Sequence, residues 1–433
     1  MRQIFTPTGN RTRDFTRNKP IADQSVTPVV NISVINDLKY RLINRRPITP
    51  TLENAYSNYG INSVFLEKTL NYWVLNYDVK ERVKMWNALP QYMINIQGLD
   101  IHFIRVKPKL NGRNVEILPL LMLHGWPSSS REFHAVIPEL TKVHDSYDHV
   151  FEVVAPDLPG FGFSQPTSKM GLNPAQIGIM MRNLMHKLGY GKFYIQAGDW
   201  GSQSATHMVT LFPDEVLGFH TNMPISSMRS SYREFFIWYY LPIIFGKDAS
   251  HVSRIYPISN YFKYIIRETG YFHLQATKPD TLGVGLNDSP AGLAGYILEK
   301  MAMCANRDQL DTEHGGLENL NLDDVLDTVT ISWLSGSITT SMRIYKEGMD
   351  FDSEIPILHE IPTEVPTAVL NYKYEVIYQP DCVLRHKFIN IVHSTTLEHG
   401  GHFAALQTPD SFIDDVFSAG RSFLKFHEEK NKV

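Results

Sequence analysis

The run Gln196-Ala197-Gly198-Asp199-Trp200-Gly201-Ser202 sets a carboxylate at the apex of a sharp turn. It follows the apolar Phe193-Tyr194-Ile195 and precedes Ser204-Ala205-Thr206-His207-Met208, which reads as the start of a helix. Strand, tight turn of small residues, then helix is the geometry of a nucleophile elbow. Ala197 and Gly201 are small enough to let strand and helix approach, and Gly198 is expected to supply backbone freedom. Serine usually occupies the tip, and a carboxylate there changes the chemistry. An aspartate attacking an ester would make only a labile anhydride. Attack on a saturated carbon with a leaving group gives an alkyl ester that a second step can hydrolyse. The elbow therefore points to epoxides or alkyl halides. No G-x-S-x-G occurs, and Ser202 sits beyond the turn, which disfavours a serine hydrolase.

Such a nucleophile needs three kinds of helper. His124-Gly125-Trp126-Pro127 ends an apolar strand, where main-chain N–H donors face a developing oxyanion. The Trp126 N–H is expected there, beside that of Trp200. The base should come last in the chain. Of His393, His399 and His402, the stretch Glu398-His399-Gly400-Gly401-His402 favours His402, because two glycines precede it. The acid that orients it should close the preceding strand, which selects Glu375 over Asp381; Asn222, at the alternative position, is no carboxylate. A carboxylate needs no base for its own attack, so His402 would activate the water of the second step, held by Glu375. Opening an epoxide also leaves an alkoxide, which a tyrosine can protonate. Twenty-one tyrosines cannot be sorted by composition.

The elements that must position these groups can be read from hydrophobic periodicity. Residues 1–35 are rich in Pro, Thr, Asn and Arg without periodicity and are expected to be disordered. Apolar residues at helical spacing then predict a helical arm over 36–90, and two alternating runs around Gly98 predict a hairpin. Leu118 to Leu123, Phe151 to Ala155, Phe193 to Gln196, Val216 to Asn222, Thr367 to Tyr372 and Phe388 to Thr395 read as buried strands. Alternating with helices, they predict an α/β-hydrolase fold. It would have an eight-stranded, mostly parallel sheet over 91–224 and 341–425, an inserted helical lid over 225–340 and an N-terminal helical meander. The Asp157-to-Ser164 loop reads as a tight packing loop.

Apolar residues make up 43% of the 433, enough for a large core. The net charge of −4 and the lack of a basic patch argue against a nucleic-acid partner. Cys304 and Cys382 form no metal-ligand pattern, and neither metal nor cofactor is expected. No run of about 18 apolar residues exists to span a bilayer. Phe235 to Phe245 is the richest apolar stretch and reads as core or lid packing.

In this order the motifs resemble the microsomal epoxide hydrolase family, and within it the juvenile hormone epoxide hydrolases of insects. The resemblance is carried by His124 to Pro127, Gly198 to Ser202, the run Gly270 to Thr281, Leu286 to Pro290, Ser341 to Glu347 and Gly400 to Phe403. It covers roughly residues 35 to 425. It implies that Tyr271 and Tyr345 polarise the epoxide oxygen, that Glu375 is the catalytic acid, and that a lipophilic epoxide and water are the reactants. Microsomal, endoplasmic-reticulum localisation and membrane association are also implied. Members usually open with a hydrophobic anchor, where this chain has a polar Arg/Thr/Asn segment, so a soluble form is the competing expectation. A dehalogenase using the same ester chemistry, and a non-catalytic hormone-binding homologue, are the alternatives.

Overall fold

The structure, a computed structural model, describes residues 32–227, 254, 257–350, 353 and 355–432. Most of the expected disordered segment and the whole Phe235 to Phe245 run lie outside them. Strands β1 (Gln91–Ile96), β2 (Leu99–Val106), β3 (Glu116–Leu123), β4 (His149–Pro156), β5 (Phe193–Ala197), β6 (Val216–Thr221), β7 (Thr367–Asn371) and β8 (Ile391–Thr396) form one sheet. Its order is β1-β2-β4-β3-β5-β6-β7-β8. β2 runs antiparallel to both neighbours, and every pairing from β4 to β8 is parallel. This is the eight-stranded α/β-hydrolase sheet.

All five residues of β5 are buried, as a parallel strand covered on both faces requires. Met181, Leu184 and Met208, from the helices Pro174–Lys187 and Asp199–Leu211, pack on one face. Phe412, Val416 and Phe423, from Pro409–Lys430, pack on the other. Most strand ends shift by a residue or two from expectation, and those of β7 and β8 bear on the site. β8 begins at Ile391 because Phe388 is diverted into an isolated bridge with Thr363. β7 stops at Asn371, so Glu375 lies on the following loop, steadied by a bridge between Tyr374 and Gly401.

After β6 come the lid helices Ile258–Glu268, Gly270–Thr277, Pro279–Asp288, Pro290–Ala305 and Leu322–Ser335. The helix Ile338–Gly348 runs unbroken through the junction expected at 340 and 341. The N-terminal arm contributes helices Ile32–Ile43, Ser63–Leu75 and Val79–Trp86. Asn62 and Asp78 cap the second and third by accepting backbone N–H bonds, which satisfies donors a helix start leaves open.

Arm, core and lid meet at one buried carboxylate. Asp327, fully buried on a lid helix, accepts from Tyr77 Oη at 2.7 Å and from Arg82 Nε at 2.9 Å, both on the arm side. Arg131 Nε, in the turn after the His124–Pro127 loop, donates to it at 2.8 Å. Burying a charge this deeply is tolerable only when it is paired and hydrogen-bonded. Among the described residues, no helix is long and apolar enough to cross a membrane.

Candidate active site

The site lies at the C-terminal ends of β3, β5 and β7. Asp199 opens the helix Asp199–Leu211 with φ +46°, a left-handed conformation that a non-glycine residue adopts at a cost of about 1–3 kcal/mol. The expectation for Gly198 is corrected here. Gly198 has extended backbone, φ −124°, and its need is space: a Cβ would come within 2.9 Å of the Asn222 side chain. The strained residue is the aspartate itself. Gly201 does let helix and sheet close up, since a Cβ there would sit 2.4 Å from the Leu123 carbonyl oxygen. Asp199 also stands at a helix N-terminus, whose unpaired N–H groups favour negative charge.

The Trp126 N–H donates to Asp199 Oδ1 at 2.7 Å. Its direction is set by His124, whose Nε2 accepts the Leu158 N–H at 3.0 Å. Nδ1 therefore carries the proton and donates to the Gly125 carbonyl at 3.0 Å. Burial lowers the His124 pKa, which keeps this neutral tautomer. Asp157 fixes the same region from below, accepting the Ser130 N–H at 2.7 Å and the Phe163 N–H at 2.8 Å. Trp200 occupies the first helical turn beside Asp199, and its ring meets Tyr345 edge-on at 4.8 Å.

His402 joins the other two carboxylates. Its Nδ1 lies 2.7 Å from Glu375 Oε1 and its Nε2 3.3 Å from Asp199 Oδ2. Burial alone would lower the imidazole pKa, yet the flanking charges of Glu375 and Asp199 carry it well above the usual histidine value. Gly400, at φ +72°, makes the turn that delivers the ring. A Cβ on Gly401 would come 2.4 Å from the Cys304 carbonyl oxygen, the same group that accepts the His402 N–H at 3.1 Å. The rival residues are engaged elsewhere. His393 pairs with Asp415 at 2.8 Å, His399 is exposed beside Ser411, and Asp381 accepts from Ser394. Ser202 is buried and donates to the Met223 carbonyl at 2.9 Å, so it has a structural bond rather than a base.

Tyr271 and Tyr345 come from two lid helices, and both rings lie against Trp126, at 5.8 Å and 5.9 Å. Burial raises both phenol pKa values well above the ordinary one, so each is a neutral donor. Phe272 and Tyr296 extend the aromatic wall. Sequence reasoning passed over one further acid, Glu132, which lines a hollow with Asp199 and His402. Lying eight residues beyond His124 in a polar turn, it carries no motif to mark it.

Fold and site define an α/β-hydrolase with a carboxylate at its elbow. Residues 24–133 match the family described as "Epoxide hydrolase N terminus", and residues 119–240 match "alpha/beta hydrolase fold". The chain is 61% identical to a juvenile hormone epoxide hydrolase of Manduca sexta, over 94% of its own length and 88% of the relative's. It is 39% identical to epoxide hydrolase 1 of Sus scrofa, over 94% and 90%. A crystal structure of juvenile hormone epoxide hydrolase from Bombyx mori superposes with a TM-score of 0.90 at 41% identity, covering 93% of this chain and 95% of that one. The chain belongs to the epoxide hydrolase family.

Proposed function

We propose that this enzyme opens a lipophilic epoxide through an ester on Asp199, and that juvenile hormone, named in the Manduca and Bombyx relatives, is its substrate class. One observation carries the reading: a single histidine lies within 3.3 Å of the elbow carboxylate and 2.7 Å of a second one.

In the first step an Asp199 oxygen attacks an epoxide carbon, the ring C–O bond breaks, and Tyr271 or Tyr345 gives its proton to the leaving oxygen. Two donors suit an epoxide better than a halide, which leaves without a proton. In the second step His402 Nε2 takes a proton from water as the water oxygen bonds to the Asp199 carbonyl carbon. The Trp126 N–H stabilises the charge that develops on the carboxyl oxygen, with the Trp200 N–H as its proposed companion. The ester C–O bond then breaks, the diol oxygen takes the proton from His402, and the water proton left on the restored Asp199 carboxyl passes to the imidazole. Forming the ester removes one of the two charges that hold a proton on His402. The proton so released passes to the tyrosinate left by the first step, and the imidazole becomes a base when a base is needed.

Membrane association at the endoplasmic reticulum belongs to the same proposal, supported by the family resemblance and a lipophilic substrate; fractionation of the expressed protein tests it. Chemistry is tested by one turnover in H₂¹⁸O with purified enzyme and juvenile hormone. The label is expected in the Asp199 carboxylate. Label found only in the diol overturns the ester.

A further inference from the structure

The second step needs a water, and the lid side of Asp199 is walled by Trp126, Tyr271 and Tyr345, which the substrate must fill. Beside Asp199 and His402 lies a small hollow with room for about one water molecule. Every residue that lines it belongs to the hydrolase core and none to the lid. Its polar side chains include His124, Ser128, Glu132, Asp199, Asn222 and His402, with Phe133, Phe403 and Phe412 among the apolar ones. Water there would share the hollow with His402 and with the Asp199 side chain whose ester it must attack.

Glu132 is the unexplained member. His402 already has its orienting acid in Glu375, through Nδ1. A third acid beside Asp199 and Glu375 adds like charge to a water-poor site, a cost that function rather than packing accounts for. We propose that Glu132 binds the hydrolytic water in this hollow, accepting one of its O–H bonds so that the other points to His402 Nε2. This rests on the ester mechanism above. Burial pushes the Glu132 carboxyl up to about 7, against a smaller lowering pull from the Ser128 hydroxyl. The group therefore keeps an accepting oxygen without standing as a full second anion beside Asp199. Each alkyl ester consumed forms one bond from water oxygen to carboxyl carbon. It also moves one proton to His402; Glu132 holds the water and gains no proton.

The test separates the two chemical steps in the full-length enzyme. Rapid mixing of excess enzyme with a racemic aromatic epoxide, followed by Trp126 and Trp200 fluorescence and acid-quench mass spectrometry, reads ester formation and ester decay independently. For Glu132→Ala, formation is expected within about threefold of the parent, while decay slows about 100-fold, the scale of a misplaced reactant. Glu132→Gln keeps an accepting oxygen and should recover most of that loss. It also serves as the probe should the alanine variant fail to fold. Unchanged decay in both variants, or equal losses in formation and decay, overturns the proposal. Glutamine as slow as alanine also overturns it, since the carboxyl would then act as a base. If the parent forms no ester at all, the failure belongs to the ester mechanism.

Discussion

His402 approaches Asp199 from the side away from Trp126: Nε2 meets Oδ2 at 3.3 Å, while Oδ1 takes the Trp126 N–H at 2.7 Å. The two carboxylate oxygens are therefore divided between an imidazole and a main-chain N–H, the proton carrier and charge stabiliser of the proposed mechanism. Neither helper has to move far between the two chemical steps.

Removing the base should stop the enzyme halfway. His402→Gln is expected to form the ester and hydrolyse it at least about 100-fold more slowly, the low end of what a positioned general base contributes. Mass analysis of the denatured protein should find one substrate equivalent on the peptide that contains Asp199. An unmodified peptide during slow turnover would contradict the mechanism.

The tyrosines should matter for the first step alone. Tyr271→Phe and Tyr345→Phe are each expected to slow ester formation by about 10- to 100-fold, and the double variant by about 10⁴-fold. Ester decay should stay near the parent rate. A double variant that turns over an epoxide normally would exclude both as proton donors.

The imidazole should hold its proton above neutral pH in the free enzyme, because two carboxylates flank it. The sign follows from charge: Glu375→Gln removes one anion, so the His402 pKa should fall, and Asp199→Asn should lower it too. Ring-carbon NMR shifts recorded against pH read this directly. A parent resonance titrating near 6.5 would show that the flanking charges fail to prevail over burial.

Gly125 tests the closeness of the oxyanion loop. A Cβ there would lie 1.9 Å from Asp199 Oδ1, and Gly125 does not adopt a left-handed backbone, so the loss would be steric. Gly125→Ala should keep its fold by circular dichroism while kcat/KM falls about 100-fold or more.

Asp327→Ala would remove the buried one of the two carboxylates that Arg82 and Arg131 share, leaving them the more exposed Asp324. A loss of about 3–5 kcal/mol is expected for breaking such a cluster, measurable as a lower denaturation midpoint. Retained stability would mean that water replaces the carboxylate.

Most of the strands and the Asp199 turn were legible because each leaves a local trace, a run of buried residues or a cluster of small ones. The two glycines before His402 separated it from His393 and His399, and both rivals have partners of their own. The strain was assigned to Gly198 because sequence can show where glycine stands. It cannot show that a neighbouring aspartate has been forced into a positive φ. Tyr271 and Tyr345 were found through resemblance, since aromatic content alone does not rank one lid tyrosine above another. Glu132 went unmarked for a related reason. Its role depends on groups delivered by other strands, and a polar turn looks the same with or without a hollow behind it. Asp327 is the extreme case, 196 residues from Arg131 and 245 from Arg82.

That distance has a practical meaning for anyone reshaping this enzyme. Because one carboxylate answers to arginines from the leading helices and from the oxyanion turn, a fragment trimmed to the bare sheet would strand ionised groups against oil-like surroundings. Chimaeras that exchange lids to alter substrate range should therefore carry Tyr77, Arg82 and Arg131 along with the transplanted helix, as a single heritable unit.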